Sequence, residues 1–323
     1  MERTDRLESL RVKPLRYRLL KTEREMSEET GFQIEHPIVL FNLEGLEIDL
    51  QAMKAALAET YERLPWDNYL VKRDQVNFLG QQFPELQEFL LSDFLPRYFV
   101  DQTQLNELQR YFDRLSEVQR AQFDRIRPYR RRGISQFMLH KSAHDCFEWS
   151  IEDLPHTAYM QTSEVKHDYR SLQRTFPPSP PQVTENRQFR EVLVHLAVMS
   201  DIARMGKARR IKIICQQVGI VTDPHQVVSN APEGIHQDGC DYIVSALVVE
   251  RRGIAKGESV VFGPDKQTEY LRHTLVDGEA IFQADTGSPL WHVVEPIEPI
   301  GGAGSTAGVR NIIGYDIYIE ESA

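Results

Sequence analysis

Cysteine is scarce in this chain of 323 residues: Cys146, Cys215 and Cys240 are widely spaced and odd in number. That excludes a disulfide framework and a paired-cysteine zinc knuckle, and it points to a reducing cytoplasm. No apolar run approaches the roughly 18 residues that a membrane span needs. The opening Met1-Glu-Arg-Thr-Asp-Arg-Leu-Glu8 lacks an apolar signal core, so a cytoplasmic location and no membrane partner are expected. Positive charge is also in deficit. With 48 acidic against 38 basic residues the formal charge is −10, which argues against nucleic acid as a partner. There is no internal repeat, low-complexity tract, glycine-rich phosphate loop, dinucleotide fingerprint or serine nucleophile elbow. What remains is a globular composition, 41% hydrophobic and 27% charged. It suits one elaborated domain or two small ones.

Residues 1–35 carry little periodic signal and read as an arm or a frayed terminus. His36-Pro-Ile-Val-Leu-Phe41 reads as a short strand. Leu50, Met53, Leu57, Tyr61 and Leu64 recur at helical spacing, with Asp49 as N-cap. A second helix is expected after Pro84, through Leu86, Phe89, Leu90 and Phe94. A third should begin near Asp101 or Thr103 and run through Leu105, Leu108, Phe112, Leu115 and Val118 towards Ile126. These amphipathic faces serve packing, or else a partner such as a second copy of the chain. Ile134–Leu139 and Thr157–Thr162 read as strands, and Pro177–Pro181 as a stiff loop. Thr184 is the expected cap of a helix carrying Phe189, Val192, Leu193, Leu196 and Met199, with His195 as a core histidine. From residue 211 the pattern changes. Runs rich in Val, Ile, Tyr and Phe, at 211–221, 242–249, 259–262, 269–275, 280–283 and 309–319, alternate with Gly, Pro and Asp turns. That spacing predicts a β-sandwich or barrel. The fold class is therefore α+β: a double-stranded β-helix (jelly roll, cupin-like) with N-terminal and flanking helices. Residues 1–127 form a helical extension packed on a core at 128–323.

Chemistry concentrates in Pro232-Glu-Gly-Ile-His-Gln-Asp-Gly239. At a strand end His236 and Asp238, two apart, share one face. With His292, in Pro289-Leu-Trp-His-Val293, they make two histidines and a carboxylate, the set that suits a non-haem Fe(II) oxygenase. An isolated His-x-Asp also arises by chance, and the flanking turn and long strand pattern are what favour the metal. Arg310, opening the last strand pattern, suits a bidentate clamp on a dicarboxylate; it suits an ordinary ion pair equally. Arg127-Pro-Tyr-Arg-Arg-Arg132 reads either as a surface ion-pair cluster or as the source of one arginine aimed into a pocket.

From about Arg130 to Ile319 the chain resembles the 2-oxoglutarate/Fe(II)-dependent dioxygenases that hydroxylate free L-amino acids, the isoleucine dioxygenase type. The resemblance lies in Glu233-Gly-Ile-His-Gln-Asp-Gly239, the Gly257-Glu-Ser259 hairpin, Trp291-His-Val-Val-Glu-Pro-Ile297 and Val309-Arg-Asn-Ile-Ile313. Upstream it extends to Arg130-Arg-Arg132, Tyr159-Met-Gln161 and Arg174-Thr-Phe176. It implies that His236, Asp238 and His292 hold iron and that Arg310 binds 2-oxoglutarate. Arg132, Gln161, Arg174 and Gln217 are then candidates for substrate binding; each also reads as a structural hydrogen-bonding residue. Two departures stand out. A His-Gln-x-Arg pattern is reduced to Gln216-Gln-Val-Gly219, and a glycine-rich stretch, Gly301-Gly-Ala-Gly-Ser305, precedes Arg310.

The implied reaction uses Fe(II), 2-oxoglutarate and O2, with ascorbate as an activator in vitro. The product is a hydroxylated free amino acid, polar or basic in class, such as arginine, citrulline or lysine. Three other readings stay open: an oxygenase acting on a peptide, a jelly-roll binding protein without catalysis, and a zinc hydrolase on the same ligands.

Overall fold

The long runs of β-branched residues after position 208 do become strands, and their pairing sets up the rest of the molecule. A computed structural model describes residues 8–12, 19–161, 166–222, 228–300 and 307–321. Its main sheet is antiparallel with nine strands. In spatial order these are Glu8–Arg11 (β1), Glu148–Asp153 (β5), Arg130–Lys141 (β4), Ala208–Val221 (β6), Val309–Glu321 (β14), Tyr242–Arg252 (β7), Glu279–Ala284 (β11), Ile38–Asn42 (β3) and Lys21–Thr22 (β2). A second sheet joins Glu269–His273 (β10), Ser259–Phe262 (β9) and Trp291–Val294 (β12). A two-stranded ribbon joins Ile254–Lys256 (β8) and Ile297–Pro299 (β13). The architecture is the expected mixed α+β jelly-roll core with N-terminal helices.

Register decides which face each side chain takes. β6 pairs with β14 so that Ile220, Val218 and Gln216 oppose Arg310, Ile312 and Gly314. Across β4 the same rows continue to Arg130, Arg132 and Ile134. This is the inner face. The alternate residues form the back face, where helices Leu50–Arg63 and Arg187–Ala203 pack. Tyr61 donates to the Ile312 carbonyl at 3.1 Å, and Phe189 stacks near Phe137 and Tyr315. Asp49 caps the first of these helices as expected, accepting from the Ala52 amide. The second starts two residues later than expected. Thr184 ends a separate turn begun at Pro181, and Asn186, with extended backbone, accepts from Phe189 and starts the helix.

The other differences also have local causes. Residues 84–100 are helical, but the helix expected from about 101 to 126 is broken. Gln102–Leu108 is a tight 3-10 stretch, and Ser116 with Gln119 forms a capping box that begins a new helix, Glu117–Asp124. The helix Asn68–Gln82 was not expected from the sequence; Asp67 caps it at the Leu70 amide. Around Tyr159 a single bridge to Arg174 replaces the expected strand, and Thr162 lies outside the described residues, as does the glycine-rich 301–305 stretch. In the N-terminal 35 residues, β1, β2 and helix Glu23–Thr30 take shape. No helix among the described residues is long and apolar enough to cross a membrane.

Candidate metal centre and its pocket

His236 does not sit in a continuous strand. It makes one isolated bridge to His292 in β12: each backbone N–H donates to the other's carbonyl, at 3.0 and 3.1 Å. That exchange sets the two imidazoles on one side, ring centres 4.4 Å apart. Positive φ at Gly234 and Gly239 (79° and 88°) turns the chain on either side of the motif. His236 Nδ1 donates to the Gly234 carbonyl at 2.7 Å, which leaves Nε2 facing inward.

Asp285 organises the rest of the loop. It is fully buried, and its carboxylate accepts the backbone N–H groups of Asp238, Gly239 and Cys240 at 3.0, 2.9 and 3.1 Å. One of its oxygens is 3.9 Å from His292 Nδ1. The Gln237 side chain turns the other way and donates to the carbonyls of Asp285, Ser288 and Leu290. Loop and strand are thereby stitched together.

The outcome is a buried cluster in which single ligand atoms of His236, Asp238 and His292 all lie within 4.8 Å of one another. Asp238 Oδ1 is 3.4 Å from His236 Nε2, and Oδ2 is 3.3 Å from His292 Nε2. Burial pushes the His236 pKa down, but the Asp238 and Glu233 carboxylates outweigh it and raise it to about 9. Burial pushes Asp238 up, yet the two histidines hold it well below the carboxylate range. Two imidazole nitrogens and a carboxylate converging in a buried site are a donor set that fits a divalent cation of the iron type. The Gly234 carbonyl orients the His236 ring through its second nitrogen, while the second nitrogen of His292 faces the Asp285 carboxylate at 3.9 Å without a hydrogen bond.

Around this cluster Gln161 donates to Asp238 Oδ1 at 2.5 Å, and Arg170 to the same oxygen at 3.1 Å. Arg170 is held by Asp168 at 2.8 Å. Arg174 stands one layer back, donating to Gln161 Oε1 and the Arg170 carbonyl. Arg132 is on the pocket wall, its guanidinium donating to Gln216. Gln217 is on the back face, where it donates to Thr60 Oγ1 at 2.7 Å; its neighbour Gln216 faces the pocket. Arg310 is fully buried on the inner face, and none of its three nitrogens has a hydrogen-bond partner among the described residues. Burial, with Arg251 nearby, lowers its pKa to about 10. An orphaned guanidinium of this kind fits the carboxylate of a dicarboxylate ligand.

Sequence reasoning did not single out Asp285, Arg170 or Asp316. The one local signal for Arg170 is the Asp168-Tyr-Arg170 turn, in which Asp168 accepts from the Arg170 amide. Asp316 lines the pocket, and burial together with the Asp238 charge raises it to about 7.

The sequence profile of the 2OG-Fe dioxygenase family matches residues 98–315. No curated protein matches the chain. Among solved structures, a bsmA homolog from Methylobium petroleophilum PM1 is 23% identical, covering 59% of this chain and 72% of its own, with a TM-score of 0.49. IDO from Bacillus thuringiensis is 14% identical, covering 59% and 79%, with a TM-score of 0.46. The Fe(II)/(alpha)ketoglutarate-dependent dioxygenase TqaL is 12% identical, covering 78% and 90%, with a TM-score of 0.42. Each resembles this chain without specifying what it does. The family profile takes in both histidines, the aspartate and Arg310, and the chain belongs to the 2OG-Fe dioxygenase family.

Proposed function

We propose that this dioxygenase hydroxylates an unactivated C–H bond of a free L-amino acid, polar or basic in class, such as arginine, citrulline or lysine. In this reading His236, Asp238 and His292 hold Fe(II), and Arg310 holds the distal carboxylate of 2-oxoglutarate. The observation that carries it is the buried His-Asp-His cluster set on the same inner surface as a guanidinium without a hydrogen-bond partner among the described residues. When bound, iron, 2-oxoglutarate and O2 supply the oxidant: one oxygen atom enters the substrate, the other enters succinate, and CO2 leaves.

The protein's own part is placement. Asp285 fixes the loop that presents Asp238, and the Gly234 carbonyl fixes the ring of His236. Gln161 and Arg170 keep Asp238 from swinging away. The pocket beside the cluster is lined by charged groups of both signs, including Arg132, Glu233 and Asp316, which suits a small charged substrate. Arg132 and Gln161 are the substrate-side candidates on the pocket wall; Arg174 supports Gln161 from one layer back, and Gln217 supports the sheet from behind. We divide the chain at residue 127, with the preceding helices covering the core and offering a surface for a second copy. A cytoplasmic location and activation by ascorbate belong to the same reading.

The test is turnover. Anaerobic protein is loaded with Fe(II), then given 2-oxoglutarate, ascorbate, air and single L-amino acids, with citrulline and ornithine included. Succinate and a product one oxygen heavier are read by mass spectrometry. We expect one well or a few related wells to respond, and His236→Ala and Arg310→Ala to silence them. Succinate without any oxygenated amino acid removes the free amino acid; no succinate from iron-loaded protein removes the enzyme reading altogether.

A further inference from the structure

One row of side chains on the pocket wall has no role in holding the metal or the co-substrate. Asp316 lies on β14, on the same face as Arg310, Ile312 and Gly314, and is 1% exposed. Its carboxylate accepts from Tyr159 Oη at 2.8 Å and from Gln216 Nε2 at 2.7 Å to either oxygen. Among the described residues no lysine, arginine or histidine forms an ion pair with it. A buried carboxylate with neutral donors and no cation is costly to maintain unless something else supplies the charge.

The basic group on that wall whose charge acts on Asp316 is Arg132, and the two are kept apart. The Gln216 amide lies between them, its oxygen accepting from Arg132 and its nitrogen donating to Asp316. Arg132 is further fixed over the rings of Tyr159 and Phe176, at 5.1 and 4.8 Å. Its Nε has no hydrogen-bond partner among the described residues. Its nearest carboxylate, Asp67, stands 4.0 Å away and is already bound twice by Arg130, at 3.0 and 2.7 Å. The wall therefore presents a positive group and a negative group separated by one amide, each braced by neighbours and each with unused hydrogen-bonding capacity.

We propose that Asp316 binds the α-ammonium group of the substrate while Arg132 binds its α-carboxylate, so that the pocket recognises the zwitterionic head of an amino acid. This rests on the free amino-acid reading above and adds the group that would select an amine. The pairing brings each group a directly hydrogen-bonded partner of opposite sign only when both groups come on one small molecule. A side-chain amine of lysine or ornithine shares the chemistry of the ammonium, and the experiment separates the two sources.

Binding is measured calorimetrically on anaerobic protein loaded with Fe(II) and 2-oxoglutarate, where no turnover occurs. The ligands are the common L-amino acids, ornithine, citrulline and, for each binder, the 2-hydroxy acid with the same side chain. We expect the hydroxy acid to bind roughly tenfold or more weakly than its amino acid, the loss of one charge-assisted pair. Asp316→Asn should weaken the amino acid by a similar factor and leave the hydroxy acid unchanged. Thermal unfolding checks that the variant folds; if it does not, the wild-type comparison alone decides. Equal affinity for amino and hydroxy acid in the wild type overturns the assignment. So does an Asp316→Asn effect confined to ligands with a side-chain amine. If no ligand in the set binds while iron and 2-oxoglutarate do, the free amino-acid reading falls and takes this inference with it.

Discussion

Arg310 stands where folding alone would not put it. A guanidinium with 0% exposure and three nitrogens unpartnered among the described residues loses its hydration and gains nothing in return until an anion arrives. Stability and co-substrate binding should therefore oppose each other at this position. Without 2-oxoglutarate, Arg310→Met should be more stable than the wild type by about 1–4 kcal/mol. With iron and 2-oxoglutarate at a hundred times its Kd, the wild type should gain about 2.7 kcal/mol and the variant nothing. Thermal unfolding with and without 2-oxoglutarate reads both, and a less stable ligand-free Arg310→Met would contradict the idea. This residue and the cluster of His236, Asp238 and His292 were legible in the sequence because each carries an unusual side chain at the border of a strand pattern. Asp285 was not legible, because its work is done on backbone amides 45 to 47 positions away. Gln217 and Gln216 show a different gap. They are adjacent on β6, so they face opposite ways, and only the register with β14 tells which one meets the pocket.

At the level of elements, Asp67 joins two that the sequence left unrelated. It caps helix Asn68–Gln82 through the Leu70 amide, and it binds Arg130 of β4 through two hydrogen bonds. Burial pushes its carboxyl up, and Arg130 and Arg132 bring it below the usual range. Asp67→Ala removes the cap and leaves Arg130 buried without its carboxylate, so a loss of about 3–5 kcal/mol is expected in urea unfolding. Asp67→Asn keeps a capping oxygen and should lose most of the same amount. An asparagine variant as stable as the wild type would assign the effect to the cap instead. The helix itself was hidden because its buried residues, Leu70, Val76, Leu79 and Gly80, make a sparse stripe filled out by polar side chains. Lys72, for instance, lays its amine on the Tyr98 and Phe99 carbonyls. The strands β6, β7 and β14 were plain by comparison, being long runs of Val, Ile and Tyr between turns.

Across the whole molecule, acid tolerance should depend on a histidine far from any chemistry. His195 is buried in the helix Arg187–Ala203, and burial lowers its pKa to about 4, against the Glu47 charge and a hydrogen bond at Leu46. The folded pKa is below the unfolded value of about 6.5, so the unfolded chain takes up the proton first as pH falls. The native state thus loses stability between about pH 6.5 and 4, by roughly 3 kcal/mol from this group. Urea unfolding of the wild type and His195→Leu across that range should show the variant with the flatter dependence. Parallel curves would assign the acid sensitivity elsewhere. The sequence had placed His195 in the core from its helical stripe, and the overall jelly roll was equally readable from strand spacing. Sheet order was not readable, since β3 and β11, or β1 and β5, meet across long stretches of chain.

One strand, β14, carries both Arg310 and Asp316 on a single face, locked to β6 by unbroken pairing from Val309 to Glu320. On the roles proposed above, it works as a ruler between two chemical partners that must meet at a third point supplied by other segments. A ruler can have its marks changed one at a time. It cannot be lengthened or shortened by one residue between the marks without turning one of them to the wrong side of the sheet. New substrate preferences in this lineage should therefore arise by substitution along β14 and its neighbours, while insertions and deletions collect in the turns that flank them.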